Sequence, residues 1–230
     1  MGNVSHGPSI VTDGLVLCLD KYNEQSYLGE PTVNLLTSPN DILSSYATGG
    51  ESNWQTGNES SSSFTLTGGH PDPFGGNDAI LLEYIGGNGP SDYPHLRQHR
   101  TITSGSTATH TMSVWAKLAY GSPSYWTLAC FRRSPWASGF SSGVITLTNQ
   151  WVHYETSGNP IDTSVHTFHL IDNVSYSSGA HGIYYYGPQM EQKSHATKFV
   201  DGTRSATDGW QDLSGNDNHC LLYTSPSPRD

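Results

Sequence analysis

At 230 residues the chain is long enough for one all-β domain and part of a second, with room for a sizeable buried core. Charged residues make up 13%, too few for a coiled coil or a disordered acidic tail. The formal net charge of −10, with Arg132-Arg133 as the one adjacent arginine pair, repels a phosphate backbone. It disfavours nucleic acid and suits a neutral partner such as a glycan.

The opening nine residues are polar and lack a signal-peptide pattern, and no apolar run approaches transmembrane length, so membrane insertion is not expected. Residues 13–20, Asp13-Gly14-Leu15-Val16-Leu17-Cys18-Leu19-Asp20, form a short apolar run after a Gly turn signal and read as a buried strand. Asn34-Leu35-Leu36 opens the next domain, and Asn53-Trp54-Gln55 reads as a polar loop. Strands are expected near 60–66, 79–84, 95–102, 110–119, 124–132, 144–147, 151–156, 165–171 and 183–186. Between them, 70–77 (HPDPFGGN), 86–92 and 134–142 read as loops. Gly and Pro punctuate nearly every window and no 3.6-residue apolar periodicity persists, so helix is not expected. Cys18 and Cys130 sit in apolar runs and read as small buried hydrophobes; no Cys-x-x-Cys metal spacing occurs.

The segment 183–205 is the most specific. A strand of β-branched and aromatic residues leads into Gly187-Pro188-Gln189-Met190-Glu191, and Ala196-Thr197 follows. This pattern resembles the closing strand of carbohydrate-binding-module-like jelly rolls in phage and virus structural proteins, tail fibres and head appendages. The resemblance implies an all-β jelly-roll β-sandwich (galactose-binding-like) over residues 32–205. Residues 13–20, with Tyr22-Asn23 and Ser26-Tyr27, are similar to the first strand of concanavalin-like (laminin-G-like) domains, and Trp210-Gln211-Asp212-Leu213-Ser214-Gly215-Asn216 to a segment that normally follows it. Residues 1–31 and 206–219 are then pieces of such a domain, with the jelly roll either inserted in it or lying between two domains. Residues 220–230, with Cys220, match a back-translated sequencing adapter and are set aside as an assembly artefact, which places the natural continuation beyond 219.

Alternation assigns faces. Along 110–118, Met112, Val114, Ala116 and Leu118 fall on one side, and Ser113, Trp115 and Lys117 on the other. The first set belongs in the core, which leaves Trp115 on an outer face, either as the floor of a sugar groove or packed beneath a loop. Tyr93, His95, Arg97 and His99 share a face and can line the same sheet, donating hydrogen bonds to sugar hydroxyls; a plain solvated polar face is the competing reading. Trp54, Trp126 and Trp136 read as loop aromatics able to stack on pyranose rings, with Arg133 near Trp136 as a polar partner. Trp151 and Tyr184-Tyr185-Tyr186 read as structural packing.

A glycosidase needs two carboxyl groups facing across the scissile bond, and no motif here pairs any. No His-Glu-x-x-His or phosphate loop occurs, and the 11 histidines are scattered. No cofactor is expected. The resemblance implies that a structural calcium can be held, with no ligand set assignable. It further implies a non-catalytic domain that binds a glycan or polysaccharide on a host surface, contacts other virion proteins and can form a homo-oligomer. An architectural domain without ligand and an accessory module of a polysaccharide-degrading enzyme are the competing readings.

Overall fold

The structure is a computed structural model and describes residues 27–43, 53–57, 64–84, 95–102, 108–121, 126–132, 137–160, 165–172 and 180–208. The chain divides into two compact units, one of Thr32–Thr203 and one of Met1–Pro31 with Arg204–Asp230. Of the second, the described part includes a 3-10 turn at Ala206–Asp208 and the Arg204 guanidinium donating to the Glu30 carbonyl at 3.0 Å. The predicted strand 13–20 and the segment 210–216 lie outside the described residues.

Unit Thr32–Thr203 is a jelly-roll β-sandwich of two five-stranded antiparallel sheets. The first sheet orders β2 (Trp54–Gly57), β5 (His95–Thr101), β10 (Val165–Asp172), β7 (Trp126–Arg132) and β8 (Ala137–Ser141). The second orders β3 (Phe64–His70), β4 (Ala79–Tyr84), β11 (His181–Glu191), β6 (His110–Tyr120) and β9 (Val152–Gly158). Two-residue strands, β1 (Thr32–Val33) and β12 (Thr203–Arg204), mark the ends of the span. From β4 to β7, and again from β8 to β11, each successive strand changes sheet, so the two inner faces are built from interleaved pieces of sequence.

The alternation in β6 holds. Met112, Val114 and Ala116 are fully buried between the sheets, while Trp115 and Lys117 point outward and are half-buried. Large rings fill the middle of the core. Trp54 meets Phe168 edge-on at 5.8 Å, and the Trp126 indole N–H donates to the Tyr185 hydroxyl at 2.8 Å, which satisfies both polar atoms away from water. The Cys130 thiol, as expected, lies buried, and desolvation pushes its pKa up to about 12.

Some expectations for local structure fail for identifiable reasons. Residues 137–141 form an edge strand rather than a loop: Ala, Ser and Gly have poor strand propensity, and pairing with β7 imposes the conformation. The expected strand at 144–147 is reduced to one bridge between Ile145 and Trp126. The expected loop at Trp54 is β2, and Gln98, its partner across the sheet, is also buried. Together they hold residues 37–38. The Trp54 indole N–H lies 3.2 Å from the Thr37 and Ser38 carbonyls, and the Gln98 amide accepts from Thr37 N at 2.7 Å and donates to Thr37 O at 2.9 Å.

The Gly-Pro-Gln-Met-Glu motif has a structural explanation. Tyr186 pairs with Trp115, whereas Gln189 pairs with Ser113, so β11 carries one extra residue at Gly187-Pro188. Gly187 has φ 58°, a conformation glycine adopts without penalty, and proline is tolerated at a bulge. The bulge inverts the alternation. Met190 enters the core opposite Met112, and Gln189 and Glu191 turn to the outer face. There Glu191, fully buried, accepts from Gln189 Nε2 (2.8 Å), Thr197 N (2.8 Å), Thr197 Oγ1 (2.9 Å) and the Thr32 hydroxyl. Gln189 Oε1 accepts from Val200 N at 2.9 Å. Asn34 closes the same network, accepting from Leu36 N and Met190 N at 3.1 Å and donating to the Pro188 and Val200 carbonyls at 3.1 Å. The motif therefore latches the two ends of the sandwich together.

Candidate functional site

The latch covers one end of the outer face of the second sheet; the rest of that face carries rings. Register sets two adjacent rows. In the first, Tyr186, Trp115 and His153 lie side by side on β11, β6 and β9. In the second, Leu81, Tyr184 and Lys117 lie on β4, β11 and β6, and Trp151, just before β9, completes the row. Trp115 stacks on His153 with centroids 4.9 Å apart and planes at 29°. Lys117 Nζ sits 5.0 Å from the Trp151 ring centre and 4.9 Å from that of Tyr184, and these two rings are 6.2 Å apart. Burial lowers the pKa of His153, a shift only partly opposed by the charges of Glu155 and Glu191, so its imidazole favours the neutral form, with one donor and one acceptor nitrogen.

A built loop presents one more ring. Asp72 Oδ1 accepts from Phe74 N at 2.7 Å and Gly76 N at 3.1 Å, and Asp72 N donates to Gly76 O at 3.0 Å. Gly75 holds φ 94°, and a Cβ on Gly76 would collide with Asp72 Oδ2, which favours glycine at both positions. The loop holds Phe74 at 56% exposure, edge-on to Trp115 at 5.4 Å and 5.8 Å from Tyr186. Phe199 flanks Tyr186 at 5.7 Å, and His70 flanks Tyr184 at 5.2 Å. The outer face of a sandwich is ordinarily polar. Here it carries a group of partly exposed rings instead.

The residues expected to bind are divided by the structure. Trp115 lies on this face. Trp54 and Trp126 do not qualify: both are at 0% exposure in the core, where alternation and their indole hydrogen bonds place them, and neither has a free ring face. His95, Arg97 and His99 belong to β5, in the first sheet, not the sheet of Trp115. The two outer faces of a sandwich point apart, so these side chains cannot share a groove with Trp115. His99 is buried, its Nδ1 2.7 Å from Thr167 Oγ1 on β10. Tyr93, Arg133 and Trp136 lie outside the described residues.

Phe74, Trp151, Tyr184 and Tyr186 complete the face and were not expected there. Period two along the triple tyrosine separates Tyr185, buried, from Tyr184 and Tyr186, half-buried, and was the signal available. A lone Phe in a Pro- and Gly-rich turn was the other.

The carboxylates near this face serve the fold. Glu83 accepts from the Tyr120 hydroxyl at 3.1 Å, Glu155 from Ala196 N at 3.3 Å, and Glu191 belongs to the latch. A cleft of about 130 Å3 has Asn40, Asp41, Asn77 and Asp78 in its lining. It brings two carboxylates to one place, and among the described residues no group of three or more His, Cys, Asp or Glu is placed to hold a metal ion.

No protein-family model and no curated protein matches this chain. Among solved structures it is similar to the enzymatically active domain of bacteriophage CBA120 tailspike protein 4, at 16% identity and TM-score 0.46 over 69% of this chain and 21% of that one. This chain thus spans about a fifth of that protein. It is also similar to a CBM4 structure, at 14% identity and TM-score 0.42, covering 74% of this chain and 99% of that one. A third likeness is to TmCBM61 in complex with β-1,4-galactotriose, at 12% identity and TM-score 0.43, covering 70% and 99%.

Proposed function

We propose that residues 32–203 form a non-catalytic glycan-binding domain whose ligand lies on the ring-bearing outer face of the second sheet. The observation that carries this reading is the arrangement of Trp151, Tyr184, Tyr186 and Trp115 in two rows on a rigid sheet, with Lys117 and His153 among them. Pyranose rings present C–H faces that stack on aromatic rings, and their hydroxyls take hydrogen bonds from interspersed polar heads. The setting we propose is the surface of a phage or virus particle, where weak single contacts become firm attachment to a host surface through many copies. That setting, a virion location, homo-oligomerisation and the concanavalin-like nature of the flanking segments rest on the sequence resemblance.

A second reading has its own support. Trp115 has His153 stacked against it and the edge of Phe74 packed on it, so its ring is largely consumed within the molecule. This favours an architectural face covered by another protein in the assembly.

The test is a glycan array probed with the full chain displayed multivalently, beside Trp151→Ala and Tyr184→Ala variants. Binding lost in both folded variants supports the glycan reading. Absence of binding by folded protein, or binding that neither variant changes, overturns this placement.

A further inference from the structure

Resting on the glycan reading above, we infer that the ligand is an acidic glycan, one that carries a sugar carboxylate, and that Lys117 is the residue that recognises it.

Acidic residues outnumber basic ones 20 to 10, so a lysine in this chain has many potential carboxylate partners. Lys117 has none among the described residues. Its ammonium is held instead at 5.0 Å and 4.9 Å from the centres of the Trp151 and Tyr184 rings. Its neighbour in the register is Tyr184, and Leu81 stands beyond it, so the row holding the charge is otherwise ring and hydrocarbon. The nearby acids are already engaged: Glu83 by Tyr120, Glu155 by the Ala196 amide.

Aromatic faces attract a cation through the ring quadrupole but accept no strong hydrogen bond from it. An ammonium carries three donors, and rings on two sides displace part of its water. The Lys117 side chain is half-buried, and its ammonium is positioned between two rings that supply no strong acceptor. A neutral sugar hydroxyl gives such a head a modest bond. A carboxylate gives a charge-assisted bond of roughly twice the strength, in a setting less screened than open water. The same two rings that fix the ammonium offer stacking surface for the sugar bearing the carboxylate. His153, in the adjacent row, favours its neutral form and adds hydrogen-bond capacity rather than a competing charge.

The net charge of −10 opposes this ligand at long range. Discrimination therefore falls to the local ammonium, and added salt acts in two directions, screening the repulsion as well as the contact. Removal of the single charge is thus a cleaner readout than ionic strength.

The experiment takes the full chain, multivalently displayed, on an array containing uronic-acid glycans and neutral glycans. The best acidic hit is then compared with its carboxyl-reduced form, and Lys117→Gln and Lys117→Arg variants are compared with the parent, each checked for folding by thermal unfolding. The expected result is preference for the acidic glycan over its reduced form by roughly tenfold or more, lost in Lys117→Gln and largely kept in Lys117→Arg. Hits confined to neutral glycans, equal binding of acidic and reduced forms, or an unchanged preference in Lys117→Gln would overturn the inference while leaving glycan binding standing. No hit of either kind by folded protein overturns both.

Discussion

Glu191→Ala is the sharpest perturbation of the fold. The wild-type carboxylate, at 0% exposure, accepts from Gln189 Nε2, Thr197 N, Thr197 Oγ1 and the Thr32 hydroxyl. Alanine removes every acceptor. The two hydroxyls can rotate, and Gln189 Nε2 keeps Thr197 Oγ1 at 3.2 Å, but the Thr197 amide has a fixed direction and loses its acceptor. Leaving one buried donor unmet costs about 1–3 kcal/mol, and bonds to a charged acceptor contribute about 1.5–3 kcal/mol each. Because part of the network can rearrange, the expected loss is about 3–5 kcal/mol. For a unit of this size each kcal/mol lowers the melting temperature by roughly 2–4 °C, so a fall on the order of 10 °C follows. Glu191→Gln keeps shape and one acceptor, and its new amide can donate to either hydroxyl. Its expected cost is about 1–2 kcal/mol. Thermal unfolding of the three proteins decides the matter. An alanine variant within about 1 kcal/mol of the parent, or a glutamine variant as damaged as the alanine one, would refute the latch.

Trp54→Ala should destabilise by about 3–5 kcal/mol and show reduced soluble yield, since it empties a core site and removes the indole donor shared by the Thr37 and Ser38 carbonyls; a variant as stable as the parent in urea would contradict that placement. Cys130, with its thiol at about 12 and buried, should resist a thiol reagent in native protein and label on denaturation; quick labelling at neutral pH would count against its burial. His110 is fully buried and its pKa is lowered by desolvation, partly opposed by its hydrogen bond to the Ala108 carbonyl, with a smaller lowering from the nearby charge of His166. The unfolded chain therefore binds this proton more readily, so its contribution is intact above 6.5 and declines as pH falls below that value. Melting temperatures measured from pH 8 to 5 should drop on the acid side, and His110→Gln, if it folds, should flatten the drop; an unchanged slope in that variant would remove His110 as its cause.

Period two in β6 was readable from the sequence, and with it the outward position of Trp115 and the core role of Met112, Val114 and Ala116. A strand's alternation names two faces without saying which sheet the strand joins. That is why His95 and Arg97 were grouped with Trp115, although β5 and β6 lie in opposite sheets. Trp54 was misplaced because Asn53 and Gln55 make the segment look solvated, whereas the pairing of β2 with β5 drives the indole inward. Tyr184 and Tyr186 were missed although period two sets them apart from Tyr185; that their side is the outer one follows only from the pairing of β11 with β6, which aligns them with Lys117 and Trp115.

By itself, the sequence determined an all-β chain of short strands and Gly- and Pro-rich turns, because local backbone preferences and the two-residue repeat act within a strand. It also carried the 187–197 motif, whose meaning as a latch depends on residues more than 150 positions away, Asn34 and Thr32. Sheet membership, the bulge register and the gathering of Phe74, Trp115, Trp151 and Tyr184 on one face were decided by tertiary structure. Those depend on which distant strands pair, and each pairing is selected by how well all the buried faces fit together.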